Sequence, residues 1–145
     1  MVLVGCVKLK LARAAAAKDL YRSPLWQRRR NYAEASRCPW MILSAKHGLL
    51  DPETQIAPYD LALAALSAAE QRAWGEHVVG QLEERLGSLA GTTFEVHAGR
   101  AYRRAIEPGI AERGGSVAAP LEGLGMGEQL AWSLSWAARM TRGRA

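Results

Sequence analysis

Val2-Leu-Val-Gly-Cys6 is apolar along its length, which is the pattern of a short strand buried on both faces and ended by Gly5. Trp40-Met-Ile-Leu-Ser44 repeats this pattern, and residues 92–97 and 116–119 are predicted to be a third and a fourth strand. Helices are predicted between and after the strands, at residues 24–36, 67–86, 100–113 and 128–140. Strands that alternate with helices predict an α/β fold, a single domain with a mainly parallel four-stranded sheet flanked by helices.

Two of the predicted helices carry start signals. Ser23-Pro24 supplies an N-cap hydroxyl and a proline for the first turn, and Ser67-Ala-Ala-Glu70 is a capping box. Trp74, Val78 and Leu82 then follow at helical spacing. We expect these three side chains to form one buried stripe of the helix.

Length and composition limit the class of protein. The chain has 145 residues, which fits one domain with a substantial core. Two cysteines exclude a disulfide framework, and three histidines without metal-motif spacing predict neither a metal nor another cofactor. No apolar run approaches the ~18 residues of a membrane span, and the first residues lack the charge order of a secretory signal. We therefore expect a cytoplasmic protein without a membrane partner, and make no prediction of its oligomeric state.

Charge is unevenly distributed along the chain. Residues 1–50 carry ten Lys and Arg against two acidic residues, whereas residues 51–95 carry two against eight. Residues 96–145 are again basic, with seven Arg against four Glu. Arg28, Arg29 and Arg30 are the densest basic group, and we expect them to contact a nucleic-acid backbone. The alternative is that they form a solvated helix face.

The carboxyl ends of parallel strands meet at one edge of a sheet, where ligands of α/β proteins bind. A hydroxyl, an ammonium and an imidazole occur close together in the run Ser44-Ala-Lys-His-Gly-Leu-Leu50. This run follows a predicted strand and leads into residues 45–60, which are predicted to be a long loop. Lys46 is a candidate phosphate ligand or amine nucleophile, and His47 a candidate acid–base group. Asp51 and Asp60, later in the same loop, complete the candidate catalytic set. Each of the four residues also has a structural alternative. Lys46 is then solvated and His47 caps the loop, while Asp51 forms a turn and Asp60 is a helix N-cap.

Further residues at the same edge are candidate substrate ligands because they supply turns, cations, hydroxyls or a helix N-terminus. They are Gly5, Cys6, Lys8, Ser44, Tyr59, Gly99, Arg100, Tyr102, Arg103, Gly125, Gly127 and Gln129. The glycines satisfy a tight turn equally well, and a buried, unreactive thiol is an alternative for Cys6.

Several of these segments together resemble an uncharacterised bacterial and phage domain family. The resemblance rests on six motifs that occur in order over nearly the whole chain: Gly5-Cys6-Val-Lys8, Asp19-Leu-Tyr21, the LSAKHGL run at 43–49, Pro58-Tyr-Asp60, the AGRAYR run at 98–103 and the GLGMGEQL run at 123–130. Leu9 departs from the family pattern, in which a charged residue is expected. The central segment is also similar to the peroxide-stress YaaA family, whose members are linked to DNA binding and protection. More distantly, the chain is similar to domains of archaeosine tRNA-guanine transglycosylases and to uracil-DNA-glycosylase-like folds.

These resemblances imply nucleobase or nucleic-acid handling, and three functions follow. The first is an N-glycosidase or DNA glycosylase, in which His47 protonates or hydrogen-bonds the leaving base while Asp51 or Asp60 supplies negative charge near the anomeric carbon. Lys46 then forms a Schiff base or holds a phosphate, and the arginines hold the backbone. The second is a non-catalytic DNA- or RNA-binding module, with DNA expected ahead of RNA. The third is an enzyme that acts on a free nucleotide or modified nucleoside.

Overall fold

The structure is a computed structural model that describes residues 1–120 and Glu128. Its strands are β1 (Val2–Gly5), β2 (Ala15–Ala16), β3 (Trp40–Ser44), β4 (Gly48–Leu50), β5 (Gln55–Ile56), β6 (Thr93–His97) and β7 (Ser116–Ala118). The helices in this part of the chain are α1 (Ala17–Leu20), α2 (Pro24–Ala35), α3 (Ala68–Leu86) and α4 (Arg100–Glu112), with a 3-10 turn at Leu63–Ala65. The predicted final helix and Gly125, Gly127 and Gln129 lie outside the described residues.

The main sheet has the strand order β4-β3-β1-β6-β7, with β1 at its centre. β1 pairs in parallel with both β3 and β6, and β6 pairs in parallel with β7. These four strands are the predicted ones, so the prediction of an α/β domain with a mainly parallel sheet is confirmed. Their carboxyl ends therefore share one edge of the sheet, as expected.

The sheet has five strands, so the predicted number of four is wrong. The segment after Ser44 turns back at once and forms β4, which pairs antiparallel with β3 through Ile42 and Leu50. Gly48 has a φ of 72°, a left-handed conformation that glycine adopts without strain, and this allows the short turn. The predicted long loop is therefore a hairpin followed by the short strand β5, which pairs antiparallel with β2.

Helices cover both faces of the sheet. Side chains alternate along β1, so Leu3 packs in one hydrophobic cluster with α3 and α4 while Val2 and Val4 pack in another with α2. Both clusters are well shielded, since Leu3 and Val4 are 0% exposed. This arrangement is the three-layer packing expected when a parallel sheet is buried on both faces.

The two predicted helix starts are confirmed. The Ser23 hydroxyl accepts a hydrogen bond of 2.9 Å from the Trp26 amide at the start of α2. The Ser67 hydroxyl accepts one of 3.1 Å from the Glu70 amide at the start of α3. The stripe at Trp74, Val78 and Leu82 is buried as predicted.

Helices α3 and α4 approach each other unusually closely at Gly75. A Cβ atom built on Gly75 lies only 1.9 Å from the carbonyl oxygen of Ala105. Glycine is therefore required at this crossing, because any side chain there overlaps the backbone of α4. The crossing sets the position of the amino-terminal part of α4, which carries Tyr102 to the edge of the sheet.

Candidate functional site

A cavity of about 400 Å³ lies beyond the carboxyl end of β1. The segment after β1, the segment leading into the 3-10 turn and the first turns of α4 together form its wall. The lining residues are Cys6, Val7, Lys8, Lys10, Asp60, Leu61, Ala62, Ala65 and Tyr102. Four of the predicted site residues, Cys6, Lys8, Asp60 and Tyr102, are thus brought together although 96 residues separate the first from the last.

Tyr102 and Cys6 are in direct contact at this cavity. The Tyr102 hydroxyl and the Cys6 thiol share a hydrogen bond of 3.2 Å. The Tyr102 ring meets Trp74 edge-on, with 5.4 Å between ring centroids, and this contact fixes the orientation of the phenol. Burial, together with nearby Cys6, raises the pKa of Tyr102 well above its usual range. The phenol consequently keeps its proton at neutral pH and can donate a hydrogen bond.

Three hydroxyl groups form a chain beside the cavity. Tyr59 Oη lies 2.6 Å from Tyr21 Oη and 2.7 Å from Ser44 Oγ. Burial raises the pKa of Tyr21 to about 12 and also raises the pKa of Tyr59, so both phenols stay protonated at neutral pH. Lys10 Nζ lies over both rings, 4.4 Å from the centroid of Tyr59 and 5.6 Å from that of Tyr21. The result is a rigid polar group with a cation held on its surface.

His47 and Lys46 lie in the turn between β3 and β4, and neither lines the cavity. The His47 amide donates to Ser44 Oγ at 3.1 Å, and its ring meets Tyr59 edge-on at 5.6 Å. Burial and the neighbouring Lys46 ammonium lower the pKa of His47, so the ring is uncharged at neutral pH. Lys46 is exposed. His47 thus lies against the hydroxyl chain and outside the cavity wall, and its predicted role at a leaving base stays a prediction.

The two candidate carboxylates lie in different places. β4 runs antiparallel to β3 and ends at Leu50. Asp51 follows Leu50 and therefore lies near the amino end of β3, away from the edge of the sheet that carries the cavity. Asp51 Oδ1 accepts a hydrogen bond of 2.9 Å from the Glu53 amide, and Asp51 Oδ2 lies 3.6 Å from Arg85 Nη1. It thus forms the turn that the alternative interpretation predicts, while Asp60 alone lines the cavity.

The three consecutive arginines do not form one basic surface. Arg29 is only 6% exposed and donates to the Gly5 carbonyl oxygen at 3.3 Å, so its side chain lies inside the protein and away from the surface that a nucleic-acid backbone would contact. Burial lowers the pKa of Arg29 to about 10, which still leaves the guanidinium charged at neutral pH. Arg30 pairs with Asp19 at 2.8 Å and with Glu34 at 2.7 Å. Arg28 and Arg30 are both partly exposed, and of these two Arg28 has no ion pair with a described residue.

A sequence signal for the burial of Arg29 exists. Trp26, Arg29 and Ala33 are separated by three and four residues, which is the spacing of one helix face, and all three are buried. The predicted backbone contact rested on the charge of the arginines and not on this periodicity. Lys10 and Tyr21 are not among the predicted site residues, although the segments that contain them carry two of the family motifs.

The amino terminus of α4 contributes less than predicted. Gly99 is the N-cap residue and, because glycine has no side chain, it makes no side-chain cap hydrogen bond. Arg100 is exposed, and Arg103 pairs with Glu107 one turn along the helix at 3.0 Å. Tyr102 is therefore the α4 residue that the fold directs into the cavity.

A second cavity of about 650 Å³ lies on the other side of the segment 8–11. Its cations are largely neutralised, since Lys18 pairs with Glu53 at 2.6 Å and Arg30 pairs with Asp19. Its wall contains Leu9, Leu11, Lys18, Asp19, Tyr21, Arg22, Ser23, Pro24, Trp26, Gln27 and Arg30. The smaller cavity is the better candidate site because its carboxylate, thiol and ammonium groups converge on one space.

Residues 1–120 contain no group of three or more His, Cys, Asp or Glu side chains placed to hold a metal ion. None of the helices in this part of the chain has the length and apolar composition of a transmembrane segment.

The fold and the cavity define an α/β protein whose candidate site lies at the carboxyl ends of parallel strands. Comparison with protein families adds one match: the model of a family of unknown function, DUF6884, covers residues 1–135, and the chain belongs to this family. Comparison with curated proteins gives no significant match. The family description carries no activity, so function has to be argued from the cavity.

Proposed function

We propose that the protein hydrolyses the N-glycosidic bond between a base and its sugar, in a nucleotide or in a nucleic acid. The observation that carries the proposal is the composition of the cavity, where the Asp60 carboxylate, the Tyr102 phenol and two lysines face one space. Breaking of the C–N bond leaves positive charge on the sugar ring and negative charge on the base; water then bonds through its oxygen to the sugar carbon, and the proton that it loses goes to the base. A carboxylate and a hydrogen-bond donor on opposite sides of the bond stabilise these two charges.

Asp60 supplies the negative charge in this mechanism. It is exposed toward the cavity and, among the described residues, has no cation within ion-pair distance. Its charge is therefore free to act on the developing cation of the sugar ring.

Tyr102 interacts with the leaving base. The neutral phenol donates a hydrogen bond to a ring nitrogen or carbonyl oxygen of the base, and the aromatic ring offers a stacking surface. Its anchors, Cys6 and Trp74, hold the ring in place before substrate binds. Pre-organisation of this kind lowers the cost of reaching the transition state.

The size of the cavity limits the substrate. A volume of about 400 Å³ lies within the range of small-molecule sites and suits one nucleoside or nucleotide. A duplex cannot enter, so a base in DNA has to be flipped out at a cost of a few kcal/mol. Since Arg29 is buried and Arg30 is neutralised, the chain offers less basic surface for a duplex than its sequence indicates.

The test measures free bases by mass spectrometry after incubation of the protein with nucleosides, nucleotides and genomic DNA that carries modified bases. Asp60→Asn should lower the rate of base release about 10²–10³-fold, because one electrostatic group is removed. Asp51→Asn is the matched control and should retain the wild-type rate, since Asp51 lies away from the cavity. The proposal fails if no base is released from any substrate, or if Asp60→Asn is as active as the wild type.

A non-catalytic nucleic-acid-binding module is the second candidate function. Lys8 and Arg100 favour it, because both are exposed, both follow strands at the same edge of the sheet, and neither has an ion pair among the described residues. Two phosphate contacts predict about a tenfold loss of affinity between 50 and 200 mM salt. Salt-dependent binding of DNA without base release supports this candidate over the hydrolase.

A further inference from the structure

Lys10 has an environment that distinguishes it from most cations in the described part of the chain. Its ammonium lies over the rings of Tyr59 and Tyr21, and the residue lines the cavity with Asp60. Among residues 1–120 and Glu128, no carboxylate lies within 4.0 Å of Lys10 Nζ, whereas Lys18 is paired with Glu53. The positive charge is thus held in place without being neutralised.

The two tyrosine rings hold the ammonium by their π faces and leave its hydrogens available. Lys10 Nζ donates one hydrogen bond, to the Lys8 carbonyl oxygen at 3.1 Å. An ammonium group has three N–H donors, so two remain for a ligand in the cavity. The rings themselves are fixed, because Tyr59 Oη is hydrogen-bonded to both Tyr21 and Ser44.

Such a cation suits an anionic ligand. The cavity wall carries two ammonium groups, Lys8 and Lys10, against the single carboxylate of Asp60. The charge balance of the wall is therefore positive and attracts a group of negative charge. If the cavity holds a base and a sugar, the anionic group that accompanies them chemically is a phosphate.

We propose that Lys10 binds the phosphate of a nucleoside phosphate, so that the ligand of this cavity is a phosphorylated nucleoside and not a free nucleoside. This inference rests on the proposed function for the identity of the base and sugar. It adds a residue, Lys10, that the sequence analysis did not select, and it assigns that residue to specificity and not to bond cleavage.

Binding of nucleoside 5′-monophosphates and of the matching nucleosides, measured by calorimetry, tests the inference. The wild type should bind the monophosphates at least tenfold more tightly than the nucleosides, and Lys10→Met should bring this ratio close to one. Lys46→Met is the matched control, because it removes the same charge from an exposed position that does not line the cavity. It should keep the wild-type ratio.

A pair of Tyr59 variants separates the ring from its hydroxyl group. Tyr59→Phe retains the π face under the ammonium and should keep most of the preference for phosphate. Tyr59→Leu removes the π face and should reduce the preference while Lys10 itself is still present. Thermal unfolding of each variant shows that the fold is intact, so that a loss of binding is not a loss of structure.

The outcomes separate this inference from the proposed function. Nucleotide binding that depends on Lys10, without release of any base, supports the inference and contradicts the hydrolase. Base release at equal rates from nucleosides and nucleotides supports the hydrolase and overturns the inference, as does an unchanged binding ratio in Lys10→Met. A dinucleotide measured beside the monophosphates shows whether the phosphate belongs to a free nucleotide or to a strand.

Discussion

Replacement of Gly75 by alanine is predicted to destabilise the protein strongly, because the new methyl group overlaps the backbone of α4. The added Cβ lies 1.9 Å from the Ala105 carbonyl oxygen, and ordinary contact begins at 3.4 Å. The three atoms nearest to this Cβ are the oxygen, carbon and Cα of the Ala105 backbone, so rotation of a side chain cannot relieve the overlap. The backbones of α3 and α4 therefore have to move apart at this crossing to accommodate the methyl group. Overpacking typically costs about 1–3 kcal/mol, and we expect about 3 kcal/mol here.

Gly80→Ala is the matched control for this prediction. Gly80 lies on the same helix, and a Cβ built there has no neighbour within 4 Å. Alanine is a better helix former than glycine, so this variant should be about 0.5–1 kcal/mol more stable than the wild type. The same chemical change is thus predicted to have opposite signs at two positions of α3.

Urea unfolding followed by circular dichroism measures both variants. Gly75→Ala should unfold at a much lower urea concentration than the wild type, and Gly80→Ala at a slightly higher urea concentration. In thermal unfolding, the melting temperature of Gly75→Ala should be lower by roughly 10 °C. A Gly75→Ala midpoint equal to or above that of the wild type refutes the close crossing of α3 and α4. Since α4 carries Tyr102, the destabilised variant should also bind the cavity ligand less tightly.

Two further predictions concern the polar groups of the fold. Hydrogen bonds from His97 and Tyr32 lower the pKa of Glu95 in the folded protein. The ionised carboxylate therefore stabilises the fold at pH values above the usual carboxyl pKa, and this stabilisation is lost as the pH falls through the folded-state pKa. Glu95→Gln should therefore be about 1 kcal/mol less stable than the wild type at pH 7, and this difference should shrink as the pH falls below the usual carboxyl range; a difference that stays constant contradicts the prediction. Ser23→Ala removes the hydroxyl that accepts from the Trp26 amide and should cost about 1 kcal/mol in urea unfolding, while Ser23→Asn, which preserves a capping oxygen, should not.

The elements that could be predicted from the sequence are those with long local signals. β1 and β3 are unbroken apolar runs, and α3 combines a capping box with a buried stripe at helical spacing. β4 was missed because Leu49 and Leu50 are too short a run to show any periodicity. Its antiparallel pairing with β3 depends on a turn at Gly48 and becomes visible only when both strands are in place.

The location of the candidate site could be predicted from the sequence, but the residues that form it could be predicted only in part. Parallel strands bring their carboxyl ends to one edge, which correctly placed Cys6 and Tyr102 together. The sequence distance between Asp51 and Asp60 does not reveal that a reversal of the chain carries the first one away from that edge. Lys10 was missed because its position over two rings depends on tertiary contacts that no spacing in the sequence encodes.

The strand order also has a consequence for the way the chain is synthesised. β1 is translated before the other four strands of the sheet, yet it lies at the centre, and its two neighbours come from opposite halves of the sequence. β3 and β4 emerge from the ribosome first and can pair with one edge of β1 while its other edge still waits for β6. That open edge persists while the 42 residues between Leu50, the end of β4, and Thr93, the start of β6, are synthesised, at about 5–20 residues per second. During this interval the half-sheet of β1, β3 and β4 carries an unpaired apolar edge, which is the kind of edge at which strands mispair.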